Sequence, residues 1–108
     1  SEIDLVTLAS YETVAPGEVL PIDMAVNGQT DGTLKMSVRF ISPDGETVAQ
    51  RDVTLTPDVR LGLLVPPASA PGEYTLAGVV YDAATVEPVL TRGGEQVGTL
   101  ATVEIVAE

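Results

Sequence analysis

The chain reads LKMSVRFI from residue 34 to residue 41, and apolar and polar side chains alternate along this stretch. Every second residue from 34 to 40 is apolar, whereas Lys35, Ser37 and Arg39 fill the positions between them. Successive side chains of a β-strand point to opposite faces of a sheet. The stretch therefore predicts a strand with a buried apolar face and an outward polar face.

Two other segments contain apolar rows with the same spacing. The three predicted inward rows are Leu20, Ile22, Met24 and Val26; Leu34, Met36, Val38 and Phe40; and Tyr74, Leu76 and Val80. Further strands are expected near residues 3–8, 48–55, 61–65 and 97–107. The sixteen Val and twelve Thr residues of the chain agree with strands, because branched side chains fit a pleated, half-buried surface.

Turn-forming residues such as Pro16-Gly17, Pro43-Asp44-Gly45 and Pro71-Gly72 separate these segments at short intervals. About seven strands at this spacing predict an all-β protein, an immunoglobulin-like sandwich of about seven antiparallel strands in two sheets. A jelly roll or a small barrel is the alternative. Pro21 lacks an amide hydrogen and is expected at a sheet edge or a bulge. Because a strand-like pattern starts almost at once, we expect residues 1–108 to be a single domain cut from a longer chain.

The composition of the chain excludes most catalytic chemistry. Its 108 residues include sixteen Asp and Glu, five Lys and Arg, and no Cys or His, for a net charge of −11. Without thiols or imidazoles there is no cysteine nucleophile, no Ser-His-Asp triad and no zinc or haem ligand set. The acidic residues are scattered, so we predict no enzyme, no catalytic residues, no cofactor and no metal. The acidic pI of ≈ 4.1 argues against nucleic acid, and the lack of an apolar run of about 18 residues argues against membrane insertion.

Residues 70–76 read APGEYTL and resemble the corner that leads into strand F of immunoglobulin-like and fibronectin type III domains. In those domains a Tyr near the start of the strand sends its hydroxyl back to the backbone of the preceding loop. The resemblance implies that Tyr74 is largely buried and bonds to the segment of residues 66–70. Leu76 occupies the inward position that holds a Cys in antibody domains.

A longer ordered set of segments resembles the bacterial immunoglobulin-like modules appended to large envelope or secreted proteins, including membrane glycosyltransferases. The matching segments are residues 15–20, 42–45, 49–52, 71–76, 80–85 and 98–103. The usual Trp on the third strand and Pro after Tyr81-Asp82 are missing here. The resemblance implies a noncatalytic structural or interaction module (a spacer, docking or adhesion domain) in an extracellular or cell-envelope location. Its partners would be neighbouring domains of the parent protein or another surface protein.

A glycan and calcium are the two ligands that the sequence brings into question beside a purely structural role. A glycan needs exposed aromatic side chains, and Tyr11 and Tyr81 are the two candidates, so an accessory glycan-binding module is the alternative function. Calcium needs converging oxygen ligands. The Asp residues in or beside turns are Asp31, Asp44, Asp58 and Asp82. Such residues commonly bond to their own backbone, so we expect no calcium site.

The basic residues suggest a further test of the strand assignments. Arg39 and Arg51 are assigned to outward strand positions, where pairing with Asp or Glu across strands is expected. If the two faced each other on adjacent strands, the pair would instead need an anion or an acidic partner. The net charge of −11 favours a monomer in isolation, through a self-repulsion that salt screens within about 10 Å at 0.1 M.

Overall fold

The computed structural model describes residues 4–10, 12–27, 33–86, 88–89 and 98–106. These residues form strands and no helix, so the predicted all-β class is confirmed. The strands are β1 (Asp4–Ser10), β2 (Thr13–Val14), β3 (Val19–Asn27), β4 (Leu34–Ile41), β5 (Thr47–Thr54), β6 (Asp58–Leu64), β7 (Gly72–Asp82), β8 (Pro88–Val89) and β9 (Gly98–Ile105). Because β2 and β8 have only two residues each, seven longer strands make up the fold.

The strands are divided between two sheets. The smaller sheet has the order β1-β3-β6, and the larger, curled sheet has the order β2-β9-β7-β4-β5, with β8 beside β7. The expectation of purely antiparallel strands is wrong at one place, because β2 runs parallel to β9. The chain changes sheets between β1 and β2, so β2 joins a strand that is distant in sequence, and no tight hairpin imposes an antiparallel direction on this pair.

The three predicted inward rows form the core. All eleven of their residues are buried, and the most exposed of them, Leu34, is only 8% accessible. Residues from β6 and β9 complete the core, including Leu63 and Ile105. Each fully buried aliphatic side chain stabilises the fold by about 1.5–3 kcal/mol relative to exposure. The alternation read from the sequence therefore identifies the buried face of each of these strands.

The predicted turn at Pro43-Asp44-Gly45 joins β4 to β5. The amide of Gly45 donates to the carbonyl of Ser42 at 2.9 Å, and the amide of Ser42 donates to the carbonyl of Glu46 at 2.8 Å. Gly45 has a φ of 88°, in the left-handed region that glycine adopts without a steric penalty. The hairpin therefore needs a glycine at this position.

Pro21, predicted at a sheet edge or a bulge, has a strand partner on one side only within the described residues. It pairs with Gly62 of β6, whereas the pairing of β3 with β1 ends one residue later at Ile22. Only one neighbouring strand accompanies β3 at Pro21 within the described part of the chain. A missing amide hydrogen is tolerated at such a position, because edge positions leave one side of the backbone unpaired.

Tyr74 forms the predicted corner at the start of β7. Its hydroxyl donates to the carbonyl of Ala70 at 2.8 Å, and its side chain is buried. The ring stacks on Phe40 with a centroid distance of 5.0 Å and an interplanar angle of 17°. Residues 65–71, which contain Ala70, carry the chain from β6 in the smaller sheet to β7 in the larger sheet. The hydroxyl thus anchors the crossover to the core strand that follows it.

Candidate functional site

A polar groove lies on the outer face of the larger sheet, over β4, β5 and β7. The outward residues of β4 are Lys35, Ser37 and Arg39, which alternate with its buried row. In the register of the sheet, Ser37 lies between Asp52 of β5 and Val79 of β7. These residues line an open groove of ≈ 480 Å³.

The central contact of the groove joins Tyr81 to Asp52. The Tyr81 hydroxyl donates to Oδ2 of Asp52 at 2.6 Å. Tyr81 is on β7 and Asp52 is on β5, and β4 separates the two strands. Adjacent strands are about 4.8 Å apart, so the side chains of Tyr81 and Asp52 together cover a span of about 10 Å between the two backbones. Tyr81 therefore lies along the sheet, over β4, rather than projecting straight into solvent.

Further hydrogen bonds fix the groups around this contact. Nε2 of Gln50 donates to Oδ1 of Asp52 at 3.2 Å, and Nε of Arg39 donates to Oγ of Ser37 at 3.2 Å. Ser37 is only 2% exposed although it faces away from the core, so its longer neighbours cover it. Ser37 therefore forms the polar base of the groove, and the side chains of Tyr81, Gln50 and Arg39 are held by hydrogen bonds around it.

The hydrogen bonds shift the protonation equilibria of both partners in the central contact. The bond from Tyr81 holds the pKa of the Asp52 carboxyl below its ordinary value of 3.8. Burial acts in the opposite direction, while Gln50, Ser37 and the charge of Arg39 add to the lowering of this pKa. The same bond raises the pKa of Tyr81 above its ordinary value of 10.0, because the hydroxyl must give up its proton beside a carboxylate. Asp52 is thus anionic and Tyr81 neutral near pH 7.

Arg39 occupies the predicted outward position, and its register partners are Gln50 on β5 and Ala77 on β7. With Lys35 on the same face, two of the five basic residues of the chain line this groove. Asp52 is the one acidic residue of the lining. The formal charge of the lining is therefore +1, on a chain whose net charge is −11.

The prediction that Arg51 points outward is wrong. Arg51 pairs with Val38, a core residue, so it lies on the inward face of β5. It remains exposed because β5 is the last strand of its sheet, and its Nη1 donates to the carbonyl of Gly62 on β6 at 3.0 Å. Arg39 and Arg51 are thus on opposite faces and do not form an arginine pair. An inward-pointing charge at an edge strand discourages pairing with another chain.

The turn after β7 borders the groove with a strained residue. Oδ1 of Asp82 accepts hydrogen bonds from the amides of Ala84 at 2.8 Å and Thr85 at 3.2 Å. The amide of Val86 donates to the carbonyl of Asp82, and Val86 has a φ of 60°, which is rare for a β-branched residue. Val86 is 69% exposed at the rim of the groove. Asp82 is therefore used in its own turn, as turn chemistry predicts.

The other candidate residues are not brought together with Asp82. Asp44 follows the opposite end of β4, and Asp58 contacts Nη2 of Arg60 at 3.7 Å. Among the residues that the structure describes, no group of three or more acidic side chains could hold a metal ion. Tyr11 and Asp31 lie outside the described residues.

The sequence analysis found Tyr81 and the outward row of β4 but missed Asp52 and Gln50. Their positions opposite Ser37 and Arg39 depend on the register of β5, which includes an irregularity between Phe40 and Ile41. The alternation of β5 is also weak, with exposed residues on both of its faces. No pattern in the sequence of this segment indicates which side chain reaches Tyr81.

Comparison with known proteins finds no matching family model and no curated protein of significant sequence similarity. The described residues contain no helix long and apolar enough to cross a membrane.

Proposed function

We propose that the chain is a noncatalytic interaction module with an immunoglobulin-like sandwich fold, belonging to a larger bacterial envelope or secreted protein. Two features support the fold. The seven longer strands are distributed as β1, β3 and β6 in one sheet and β4, β5, β7 and β9 in the other, as in fibronectin type III-like sandwiches. The corner formed by the Tyr74 hydroxyl and the Ala70 carbonyl is the second feature.

The groove residues support an interaction role. A hydrogen-bonded set of side chains spans three strands on a face that is not needed to build the core. Groups held in place before binding lose little conformational entropy when a partner arrives. The observation that carries the proposal is the bond from Tyr81 to Asp52, which lays an aromatic ring across the sheet. The partner would be a neighbouring domain of the parent protein or another surface protein.

Hydroxyl-radical footprinting tests this role in the parent protein. Oxidation of Tyr81 is compared between the isolated domain and the same domain within its parent. Leu64, which is 58% exposed on the smaller sheet, is the control. Protection of Tyr81 alone in the parent supports docking through the groove. Equal oxidation of both residues in the two samples contradicts docking, and protection of Leu64 alone assigns docking to the other sheet.

A second candidate, an accessory glycan-binding module, is favoured by the composition of the groove. Saccharides are recognised by an aromatic ring that covers the sugar face together with a few oriented polar groups. Tyr81, Arg39, Gln50 and Asp52 are of these types and lie side by side. Binding of the labelled domain to an array of bacterial glycans, repeated with Tyr81→Ala, tests this candidate. Binding that survives the substitution contradicts the assignment to this groove.

A further inference from the structure

We propose that the groove binds a saccharide unit that carries a single carboxylate, with the sugar ring on Tyr81 and the carboxylate on Arg39. This inference rests on the glycan-binding candidate and names the class of its ligand. It follows from the positions of three groups: the ring that lies over β4, the guanidinium of Arg39, and the ammonium of Lys35 on the same face.

The ring is the platform for the sugar. Tyr81 extends over β4 toward Asp52 and lines the groove, so its ring offers an aromatic surface there. Its hydroxyl is already used by Asp52, so the ring cannot swing away without breaking that bond. The apolar C–H face of a pyranose fits such a flat surface, and the ring loses little freedom when the sugar binds.

The guanidinium of Arg39 is the group that would hold the carboxylate. Its Nε is bonded to Ser37, and this bond does not use its two terminal nitrogens. Among the described residues, the ion pairs of the protein involve Arg60 and not Arg39. Asp52, the acidic residue of the groove, is close enough for the charge of Arg39 to lower its pKa, but its hydrogen bonds come from Tyr81 and Gln50. A guanidinium matches a carboxylate in charge and in its forked geometry.

The negative net charge of the chain disfavours ligands that carry many negative charges. A net charge of −11 repels polyanions over long distances, whereas a ligand with one carboxylate experiences much less of this repulsion. A peptide strand is a poor fit here, since β4 is already paired with β5 and β7 and offers no free backbone groups. The groove thus combines a local positive charge with an aromatic surface, and a monoanionic sugar satisfies both.

The test compares methyl glucuronoside with methyl glucoside, which differ only in a carboxylate replacing the C6 hydroxymethyl group. Each is titrated into the isotopically labelled domain, and amide shifts are followed by NMR. We expect shifts in β4, β5 and β7, and about tenfold tighter binding of the glucuronoside, the effect expected of one charge-assisted hydrogen bond. High salt should reduce this difference, because exposed ion pairs are screened.

Matched variants separate the two contacts. Arg39→Gln should abolish the preference for the glucuronoside, and it should reduce glucuronoside affinity more than glucoside affinity. Tyr81→Ala should weaken the binding of both sugars. Tyr81→Phe keeps the ring but loses the bond that positions it, so it should weaken both sugars less than Tyr81→Ala does and retain the preference for the glucuronoside. Arg60→Gln, on the smaller sheet, removes the same charge at a distance and should change neither affinity. The amide spectrum of each variant reports whether it is folded.

Each other outcome overturns a defined part of the proposal. Equal affinity for the two sugars would overturn the assignment of an acidic ligand while leaving the glycan-binding candidate intact. No binding of either sugar would overturn both, and would leave the docking role untouched because footprinting tests it separately. An equal effect of Arg60→Gln and Arg39→Gln would show a general charge effect and refute the role of Arg39.

Discussion

The Tyr81 hydroxyl donates a 2.6 Å hydrogen bond to Asp52, although β4 separates the strands that carry the two residues. This bond spans the outer face of the larger sheet near Ser37, whereas Phe40 and Tyr74 stack on its inner face toward the other end of β4. The larger sheet therefore carries aromatic side chains on both its inner and its outer face. The inner pair contributes to stability through burial, whereas the outer ring is positioned by a polar contact.

The pH dependence of the contact between Tyr81 and Asp52 is the first prediction. The folded pKa of Asp52 lies below the ordinary 3.8, so its contribution to stability is present above that value and is lost as the pH falls through the folded pKa. The folded pKa of Tyr81 lies above 10.0, so its contribution is present below that value and is lost as the pH rises through the folded pKa. Carboxyl NMR shifts and tyrosinate absorbance measure the two titrations.

Tyr81→Phe is the control for this pH dependence. Since the bond from Tyr81 is the largest cause of the shift, the substitution should move the pKa of Asp52 back toward 3.8. An unchanged Asp52 titration in this variant would show that the contact is not formed in solution.

Tyr74→Phe is predicted to lower the free energy of unfolding by about 0.5–1.5 kcal/mol, because the partly buried hydrogen bond from the Tyr74 hydroxyl to the Ala70 carbonyl is lost. The stack on Phe40 survives, so the loss reports the hydroxyl. Urea unfolding of both proteins measures the difference. Tyr81→Phe removes an exposed hydroxyl and is the control. If Tyr74→Phe lowers the free energy of unfolding no more than Tyr81→Phe does, the role of the corner is contradicted.

Arg51→Val is predicted to promote self-association. It removes an inward charge from the edge strand β5 and the contact with Gly62, and it leaves an apolar edge between the sheets. The free energy of unfolding should change by less than about 1 kcal/mol, since the side chain is exposed. Sedimentation velocity at low and high salt should detect more dimer than in the native protein. Arg51→Lys should remain monomeric, and a dimer in that variant would refute the charge argument.

Calcium is predicted to have little effect on thermal stability. Asp44 lies beyond one end of β4, while Asp82 lies at the other end and Asp58 contacts Arg60. Binding to the folded state would raise the melting temperature, by an amount that grows with the logarithm of the calcium concentration relative to Kd. Thermal melts with chelator and with millimolar calcium, at equal ionic strength, should therefore coincide. A rise of many degrees with calcium would show that a site exists.

The buried side chains of β3, β4 and β7 could be predicted from the sequence alone. The period of two in residues 34–40 has a direct physical meaning, because a shift by one residue would turn the entire apolar row into solvent. The corner at Tyr74 was expected from the resemblance of residues 70–76 to immunoglobulin-like and fibronectin type III domains, and its hydroxyl bonds to a residue four positions earlier. The turn at Gly45 likewise depends on the conformational freedom of one residue.

The pairing of the strands and the contacts on their outer faces could not be predicted from the sequence and are known from the three-dimensional structure. Arg51 was assigned to the wrong face because β5 is an edge strand with exposed residues on both sides, so hydrophobicity does not mark its orientation. Asp52 and Tyr81 are 29 residues apart, and their contact depends on two strand registers at once. Burial constrains inward residues locally, whereas outward partners are chosen by register, which no single segment of the chain encodes.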